Sequence, residues 1–91
     1  MPTRGNPSRI PQIVEINDTD PLSGYRISDR DNNGTNGFNY YGYLKKDGSY
    51  YIMREEIAIG AYRYVKGTTD YSTIWSARVS QVYDYFNVIF S

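Results

Sequence analysis

Apolar and polar positions alternate on both sides of Asp47-Gly48, which is the clearest local pattern in the chain. The flanking segments read FNYYGYLKK before this pair and SYYIMREE after it. An Asp-Gly pair between two alternating aromatic runs is typical of a β-hairpin closed by a two-residue type I′ turn. That turn predicts a register in which Leu44 lies opposite Tyr51.

Both faces of the predicted hairpin carry large apolar or aromatic side chains. In this register the two faces consist of Leu44, Tyr51, Gly42, Met53 and Tyr40 on one side, and Tyr43, Ile52, Tyr41, Lys45 and Tyr50 on the other. A sheet with one wet face would alternate apolar with polar residues. We therefore expect one face to pack on the core, and the other to be covered by a second layer, a neighbouring chain or a ligand.

Shorter segments complete a predicted antiparallel sheet. Residues 12–17 and 25–28 are short strand candidates, and residues 61–67, AYRYVKG, alternate and predict a further strand next to the hairpin. Residues 17–24 and 29–37 are rich in Asp, Asn and Gly, a composition that predicts turns and loops.

The last segment of the chain fits two periodicities. Its apolar residues follow helical spacing from residue 71 and strand spacing from residue 82. We predict a short helix over about 70–78, capped by Thr69 or Asp70. A strand over about 80–90 would follow, because QVYDYFNVIF is aromatic and β-branched.

Together these elements predict a mostly β fold, a small antiparallel meander or sandwich-like sheet with one short helix near the C-terminal third. Residues 1–12 contain three of the four prolines and predict an extended or disordered arm. Residues 13–91 are predicted to form a single small β-rich domain, as a length of 91 residues suits.

Composition narrows the classes of function. Ten basic and ten acidic residues give a net charge of zero, which argues against nucleic-acid partners and against binding to a membrane surface. The chain contains neither cysteine nor histidine, so thiol chemistry, the usual zinc sites and imidazole catalysis are excluded. The polar, proline-rich start predicts no secretory signal, and we expect synthesis in the cytoplasm with no cofactor.

One weak metal-binding pattern is present. Asp29, Asp31 and Asn33 occupy alternate positions of a calcium-loop pattern, followed by Gly34 at the bend. The twelfth position, which should be a bidentate Glu, is Tyr40, so an Asx-rich turn is the favoured interpretation. Glu55 and Glu56 are adjacent in the hairpin, so in a strand they point to opposite faces and could not act as a paired acid and base. We expect the protein not to be an enzyme.

The single tryptophan and three arginines lie among the tyrosines. Trp75 either anchors the predicted helix on the core or stacks on a sugar ring, and the first is favoured. Arg54, Arg63 and Arg78 are expected to form cation–π contacts, or ion pairs with Glu55 and Asp84.

The segment from residue 38 to residue 90 resembles a group of small proteins encoded in tailed-bacteriophage genomes. They share an aromatic-Gly-aromatic strand, a "DGSWYIMRE"-like hairpin, a "YRYxKG" strand and a "DYxTxWxxRxxxxYDYFxxxF" ending. The matching positions are Tyr41, Gly42, Asp47, Gly48, Tyr51, Ile52, Met53, Tyr62, Tyr64, Gly67, Asp70, Tyr71, Trp75, Arg78, Tyr83, Asp84, Tyr85 and Phe86. Tyr50 departs from the pattern, because tryptophan is frequent there. The resemblance implies a structural role in a virion.

The leading hypothesis is therefore a structural protein of the phage tail, fibre or baseplate periphery, assembled in the bacterial cytoplasm and located in the virion. It would act as a homo-oligomer that docks onto other virion proteins. The interface candidates are Tyr40, Tyr41, Tyr43, Tyr50, Tyr51, Tyr62, Tyr64 and Trp75. The alternatives are a carbohydrate-binding module on the particle surface, with a glycan as ligand, and a capsid decoration protein.

Overall fold

The computed structural model describes residues 20–91, which form a four-stranded antiparallel sheet with a C-terminal segment packed around it. The elements are β1 (Arg26–Asp31), β2 (Phe38–Leu44), β3 (Tyr50–Glu56), β4 (Ala61–Gly67), α1 (Tyr71–Ser76) and α2 (Phe86–Ile89), with short 3₁₀ helices at Thr35–Gly37 and Arg78–Ser80. The strand order is β1-β2-β3-β4. The mostly β meander with a short helix near the C-terminal third is confirmed, with α2 as a second short helix. The predicted arm over residues 1–12 and the strand candidate over 12–17 lie outside the described residues.

The β2–β3 connection differs from the predicted two-residue turn. Lys45 N donates to Ser49 O at 2.7 Å, and Gly48 N donates to Lys45 O at 2.9 Å, so three residues form the loop. Gly48 has φ 96°, and a left-handed glycine after such a turn is the common three-residue hairpin. Tyr43 consequently lies opposite Tyr51. The predicted register is wrong by one residue, a shift that places every β3 side chain on the other face relative to β2.

One face of the sheet, which we call the first face, is covered by residues 71–83. Its buried residues are Tyr40, Tyr50 and Ile52, which are 3%, 5% and 0% exposed. Tyr50 contacts the ring of Tyr71 with centroids 5.6 Å apart, and Tyr40 contacts the ring of Tyr83 at 6.0 Å. This C-terminal layer and the sheet form the main core.

Gly42 provides the room for this layer at the centre of the first face. A Cβ at Gly42 would lie 2.9 Å from Trp75 Cε3 and would also meet the Tyr71 hydroxyl. The half-buried indole therefore packs directly on the β2 backbone, as expected if Trp75 anchors the helix on the sheet. The Arg78 guanidinium lies 4.6 Å from the indole centroid on the same layer.

Two carboxylates of β1 bind the same layer from the side. The Tyr71 hydroxyl donates to Asp29 Oδ2 at 2.7 Å. Arg78 donates to Asp31 Oδ2 through Nε at 3.2 Å and Nη2 at 2.9 Å. The hydrogen bonds from Arg78 hold the pKa of the Asp31 carboxyl below its usual value. Residues 29–31, which were predicted to form a loop, belong to β1 because they pair with β2. The carboxylates of Asp29 and Asp31 hold the C-terminal segment on the sheet.

The chain then passes around the outer edge of β4 to the second face. Tyr64 N donates to Asp84 O at 2.8 Å and Asp84 N donates to Tyr64 O at 2.9 Å. Beyond this bridge, Phe86 contacts Tyr64 at 5.3 Å between ring centroids and Phe90 contacts Tyr51 at 5.4 Å. The C-terminal segment therefore supplies a second layer on both faces.

The predicted strand over about 80–90 is wrong. Only the residue at the β4 edge pairs with the sheet, and the chain turns into α2, where Phe90 N donates to Phe86 O at 2.9 Å. Rings four residues apart lie on one side of a helix, so both contact the tyrosines beneath. At the start of α1, Asp70 occupies the predicted cap position, but its side chain makes no capping hydrogen bond.

Candidate functional site

Part of the second face is not covered by α2, and we call it the open tyrosine face. It consists of Ile27, Arg30, Tyr41, Tyr43, Glu55 and Tyr62, which the register of the four strands places on the same side as Tyr51 and Tyr64. Ile27 is 56% exposed and Tyr62 is 44% exposed. Tyr41, Tyr43 and Glu55 are half-buried. Large rings and a carboxylate are therefore presented together on one surface.

The other predicted interface residues lie elsewhere. Tyr40 and Tyr50 are buried on the first face, and Tyr51, although on the second face, is 6% exposed beneath α2 and its neighbours. Tyr64 is half-buried beside Phe86 and Phe90, and Trp75 packs on the first face. Of the eight predicted rings, Tyr41, Tyr43 and Tyr62 belong to the open tyrosine face.

Glu55 is the centre of a hydrogen-bonded group on this surface. Its Oε1 accepts from Asn39 Nδ2 at 3.1 Å and from the Tyr41 hydroxyl at 3.2 Å. Its Oε2 accepts from the Tyr62 hydroxyl at 3.3 Å. We call Asn39, Tyr41, Glu55 and Tyr62 the Glu55 cluster. The cluster joins β2, β3 and β4, because direct opposition places Asn39 and Tyr62 on either side of Glu55.

The Glu55 cluster is also hydrogen-bonded to the connection between β1 and β2. Asn39 Oδ1 accepts a hydrogen bond from Gly34 N at 3.0 Å. The Asn39 amide group therefore uses its oxygen on the β1–β2 connection and its nitrogen on Glu55. These two hydrogen bonds fix the orientation of the Asn39 amide, so that its Nδ2 group points towards Glu55 and donates to it.

The electrostatics of the cluster are those of a carboxylate with neutral partners only. In the part of the chain that the structure describes, Arg78–Asp31 is the single ion pair, so Glu55 has no basic partner there. The negative charge of Glu55 raises the pKa of the Tyr62 phenol. Burial, followed by the charge of Glu55, raises the pKa of the Tyr41 phenol. Both phenols are thus held in the protonated form that donates to Glu55.

The calcium candidates are occupied by the protein's own donors. Asp29 accepts from Tyr71 and Asp31 binds Arg78, while Asn33 N donates to Asp31 Oδ1 at 3.3 Å, as in an Asx turn. Within residues 20–91 no group of three or more acidic side chains is arranged to hold a metal ion. The two aspartates thus hold the C-terminal segment on the sheet, and Asn33 contributes a backbone hydrogen bond to the turn.

The three arginines make the predicted cation–π contacts. The Arg54 guanidinium lies between the rings of Phe38 and Tyr83, at 4.8 and 4.7 Å. Arg63 lies 4.0 Å from the Tyr85 centroid. The predicted ion pairs with Glu55 and Asp84 are not formed within residues 20–91, where Arg78 pairs with Asp31 of β1 instead.

Comparison of the chain with protein-family models, with curated proteins and with solved structures found no match. No helix formed by residues 20–91 has the length and apolar character needed to cross a membrane. The fold and the Glu55 cluster are therefore the basis for the functional proposals that follow.

Sequence reasoning missed the Glu55 cluster. Its geometry depends on the observed register, in which Asn39 lies opposite Glu55. In the predicted register Tyr40 would occupy that place. One signal in the sequence could have indicated the cluster. Asn39, Tyr41 and Tyr43 occupy alternate positions of β2, so their polar groups lie on one side of the strand.

Proposed function

We propose that this chain is a structural protein of a tailed-bacteriophage particle, in the tail, fibre or baseplate periphery. It acts by self-association and by docking onto other virion proteins through the open tyrosine face. The observation that carries the proposal is this face itself, where exposed apolar and aromatic residues remain after the chain has folded its own C-terminal segment over both sides of the sheet.

The composition of the open tyrosine face is that of a protein-binding surface. Tyrosine is enriched at protein–protein interfaces, because its ring supplies wide contact area and its hydroxyl tolerates water. Tyr43 stacks on Tyr51 with centroids 4.5 Å apart and an interplanar angle of 13°, so the surface ring is supported by a buried one. A ring held in place in this way loses little conformational entropy when a partner covers it.

The resemblance to phage proteins supports the same proposal. Several positions of the shared pattern hold the C-terminal segment on the sheet: Gly42 and Trp75 pack together, Arg78 binds β1, and Asp84 bridges the β4 edge. These roles concern the fold. The resemblance therefore argues for a shared architecture and a structural role.

A carbohydrate-binding module is the second candidate. The ring expected to stack on a sugar is Trp75, but the indole packs against Gly42 on the first face of the sheet. A sugar would also need free hydrogen-bond donors, whereas the hydroxyls of Tyr41 and Tyr62 both donate to Glu55. Capsid decoration through the arm depends on residues outside the described part of the chain.

The proposal is tested by particle incorporation. Mass spectrometry of purified particles of the encoding phage should detect the chain at a fixed copy number, and mass photometry should show self-association of the isolated protein. Tyr62→Ala should lower incorporation, whereas Val82→Ala, which alters an exposed side chain in the layer over the first face, should not. A monodisperse monomer that is absent from particles contradicts the proposal.

A further inference from the structure

The Glu55 cluster has the chemistry of a binding site for a single cationic side chain. We infer that it receives the ammonium group of a lysine from a neighbouring protein. The inference specifies which chemical group of a partner binds the open tyrosine face. That the partner is a virion protein rests on the proposed function. The binding site itself is argued from the contacts of Glu55.

Glu55 has one hydrogen-bond position left. A carboxylate offers about four lone-pair sites, two on each oxygen. Oε1 accepts two hydrogen bonds, from Asn39 and Tyr41, and Oε2 accepts one, from Tyr62. One further donor can therefore bind, and it must approach Oε2, the oxygen whose tyrosine partner is 44% exposed.

The cluster presents acceptors and no remaining donors from its tyrosines. Both hydroxyl protons are used on Glu55, so the Tyr41 and Tyr62 oxygens can only accept a further hydrogen bond. Together with Oε2 they make a set of acceptors around a negative charge. An ammonium carries three donors on one charged atom, which suits acceptors gathered around a carboxylate, whereas a sugar is neutral and has its hydroxyl donors on separate carbons.

Charge favours the same ligand. Glu55 forms no ion pair within residues 20–91. Arg30 lies on the same face, opposite Tyr41, but does not contact the carboxylate, so a cation from a partner can still bind Glu55 directly. Hydrogen bonds between ionised groups are stronger than neutral ones. The faces of tyrosine rings also attract cations within about 6 Å of the ring centroid.

Lysine fits this arrangement better than arginine. A guanidinium prefers a bidentate contact with one lone pair from each carboxylate oxygen. That contact is closed at Glu55, because both positions on Oε1 are taken by Asn39 and Tyr41. An ammonium is a compact charge with three donors and needs no such fork.

The binding test uses an amine probe and NMR. The labelled protein is titrated with Nα-acetyl-lysine amide and, separately, with the same compound acetylated at Nε, which removes the charge. We expect amide signals of Asn39, Tyr41, Glu55 and Tyr62 to shift with the amine, with a dissociation constant in the millimolar range, and not with the neutral probe. Added salt should weaken the shifts, since surface charge interactions are screened.

A matched pair of variants assigns the effect to the Glu55 charge. Glu55→Gln keeps an oxygen acceptor but loses the charge, and should weaken amine binding about tenfold. Glu56→Gln removes the adjacent charge on the opposite face and should leave binding unchanged. Equal shifts with both probes, an unchanged affinity in Glu55→Gln, or binding of a neutral oligosaccharide at these residues in place of the amine would overturn the inference.

The partner is tested separately in assembled particles. A zero-length carbodiimide reagent joins a carboxylate to an amine in contact with it, with loss of water, and mass spectrometry identifies the product. A cross-link from Glu55 to a lysine of another virion protein supports the partner assignment. A cross-link to a second copy of this chain assigns the site to self-association instead. Amine binding by the isolated protein without any Glu55 cross-link in particles keeps the binding site and rejects its proposed role in the virion.

Discussion

Replacing Gly42 by alanine tests how closely the C-terminal layer packs on the sheet. The new Cβ would meet the Tyr71 hydroxyl and lie 2.9 Å from Trp75 Cε3, closer than side-chain carbons pack. Overpacking of this kind costs about 1–3 kcal/mol. If Tyr71 shifts, its hydrogen bond to Asp29, a bond to a charged group, is weakened as well, with a further cost of about 1.5–3 kcal/mol.

An opposing contribution comes from the unfolded chain. Replacing glycine by alanine restricts the unfolded state and stabilises a protein by about 0.4–1 kcal/mol where the native backbone permits it. Gly42 is not among the glycines with positive φ, so this gain applies. The net expectation is a loss of about 2–4 kcal/mol in the free energy of unfolding, or a Tm lower by roughly 10–25 °C for a domain of this size.

The assay is urea unfolding followed by fluorescence and circular dichroism, with Tyr71→Phe as the partner variant in a double-mutant cycle. Tyr71→Phe removes both the hydroxyl that the new Cβ meets and its hydrogen bond to Asp29, so the cost of Gly42→Ala should be smaller in that background by about 1.5–3 kcal/mol. A free energy of unfolding that rises in Gly42→Ala, or two costs that simply add, would refute the packing of α1 on β2.

Three further outcomes are expected. Arg78 lowers the pKa of Asp31, so the ion pair contributes its full stability above the pKa of the unfolded carboxyl, near pH 4, and loses it as pH falls through the lower folded pKa. In Asp31→Asn the free energy of unfolding should therefore fall less steeply as pH is lowered below about 4. An unchanged pH dependence would argue against the ion pair. Phe90→Ala should cost about 2 kcal/mol and speed hydrogen exchange of the Tyr51 amide, whereas equal exchange would mean that α2 does not cover the second face. Gly48→Ala should cost about 1–2 kcal/mol by thermal unfolding, since φ there is 96°, and an unchanged Tm would contradict the three-residue turn.

Local alternation was enough to predict the hairpin and β4. The predicted strand over 61–67 has the bounds of β4, Ala61–Gly67, and the predicted helix over about 70–78 contains α1. These segments each repeat one periodicity without conflict. Their existence is decided by neighbours in the sequence, which is why the mostly β fold could be predicted.

The register of the hairpin could not be predicted in the same way. An Asp-Gly pair fits both a two-residue turn and a three-residue turn ending in glycine. Register is usually fixed by burying one apolar face, but both faces here are aromatic, so either pairing buries rings. The observed choice places Gly42 opposite Ile52, which leaves the gap that Trp75 fills.

The end of the chain was decided by distant contacts. Residues 86 and 90 satisfy helical and strand spacing alike, and the sequence offers no local reason to prefer one. Phe86 and Phe90 contact Tyr64, which lies more than 20 positions earlier in the chain. A short helix places both rings on it together, and this contact overrides the strand preference of the residues.

The candidate site could be predicted only in part, because it also depends on the register and on contacts between distant parts of the chain. The three tyrosines of the open tyrosine face were predicted as interface residues, but so were five rings that the fold uses elsewhere. Exposure separates the two sets, and exposure follows from the register and from the path of the C-terminal segment. Glu55 gained its role only when Tyr41 and Tyr62 were placed on the same side of the sheet.

The most direct test of the whole account is a cryo-EM map of the encoding phage at side-chain resolution. We predict that each copy of the chain presents its open tyrosine face to a neighbouring protein, with Tyr62 covered and a lysine ammonium within hydrogen-bond distance of Glu55. A particle without the chain, or one in which Tyr41, Tyr43 and Tyr62 face solvent in every copy, would contradict the account.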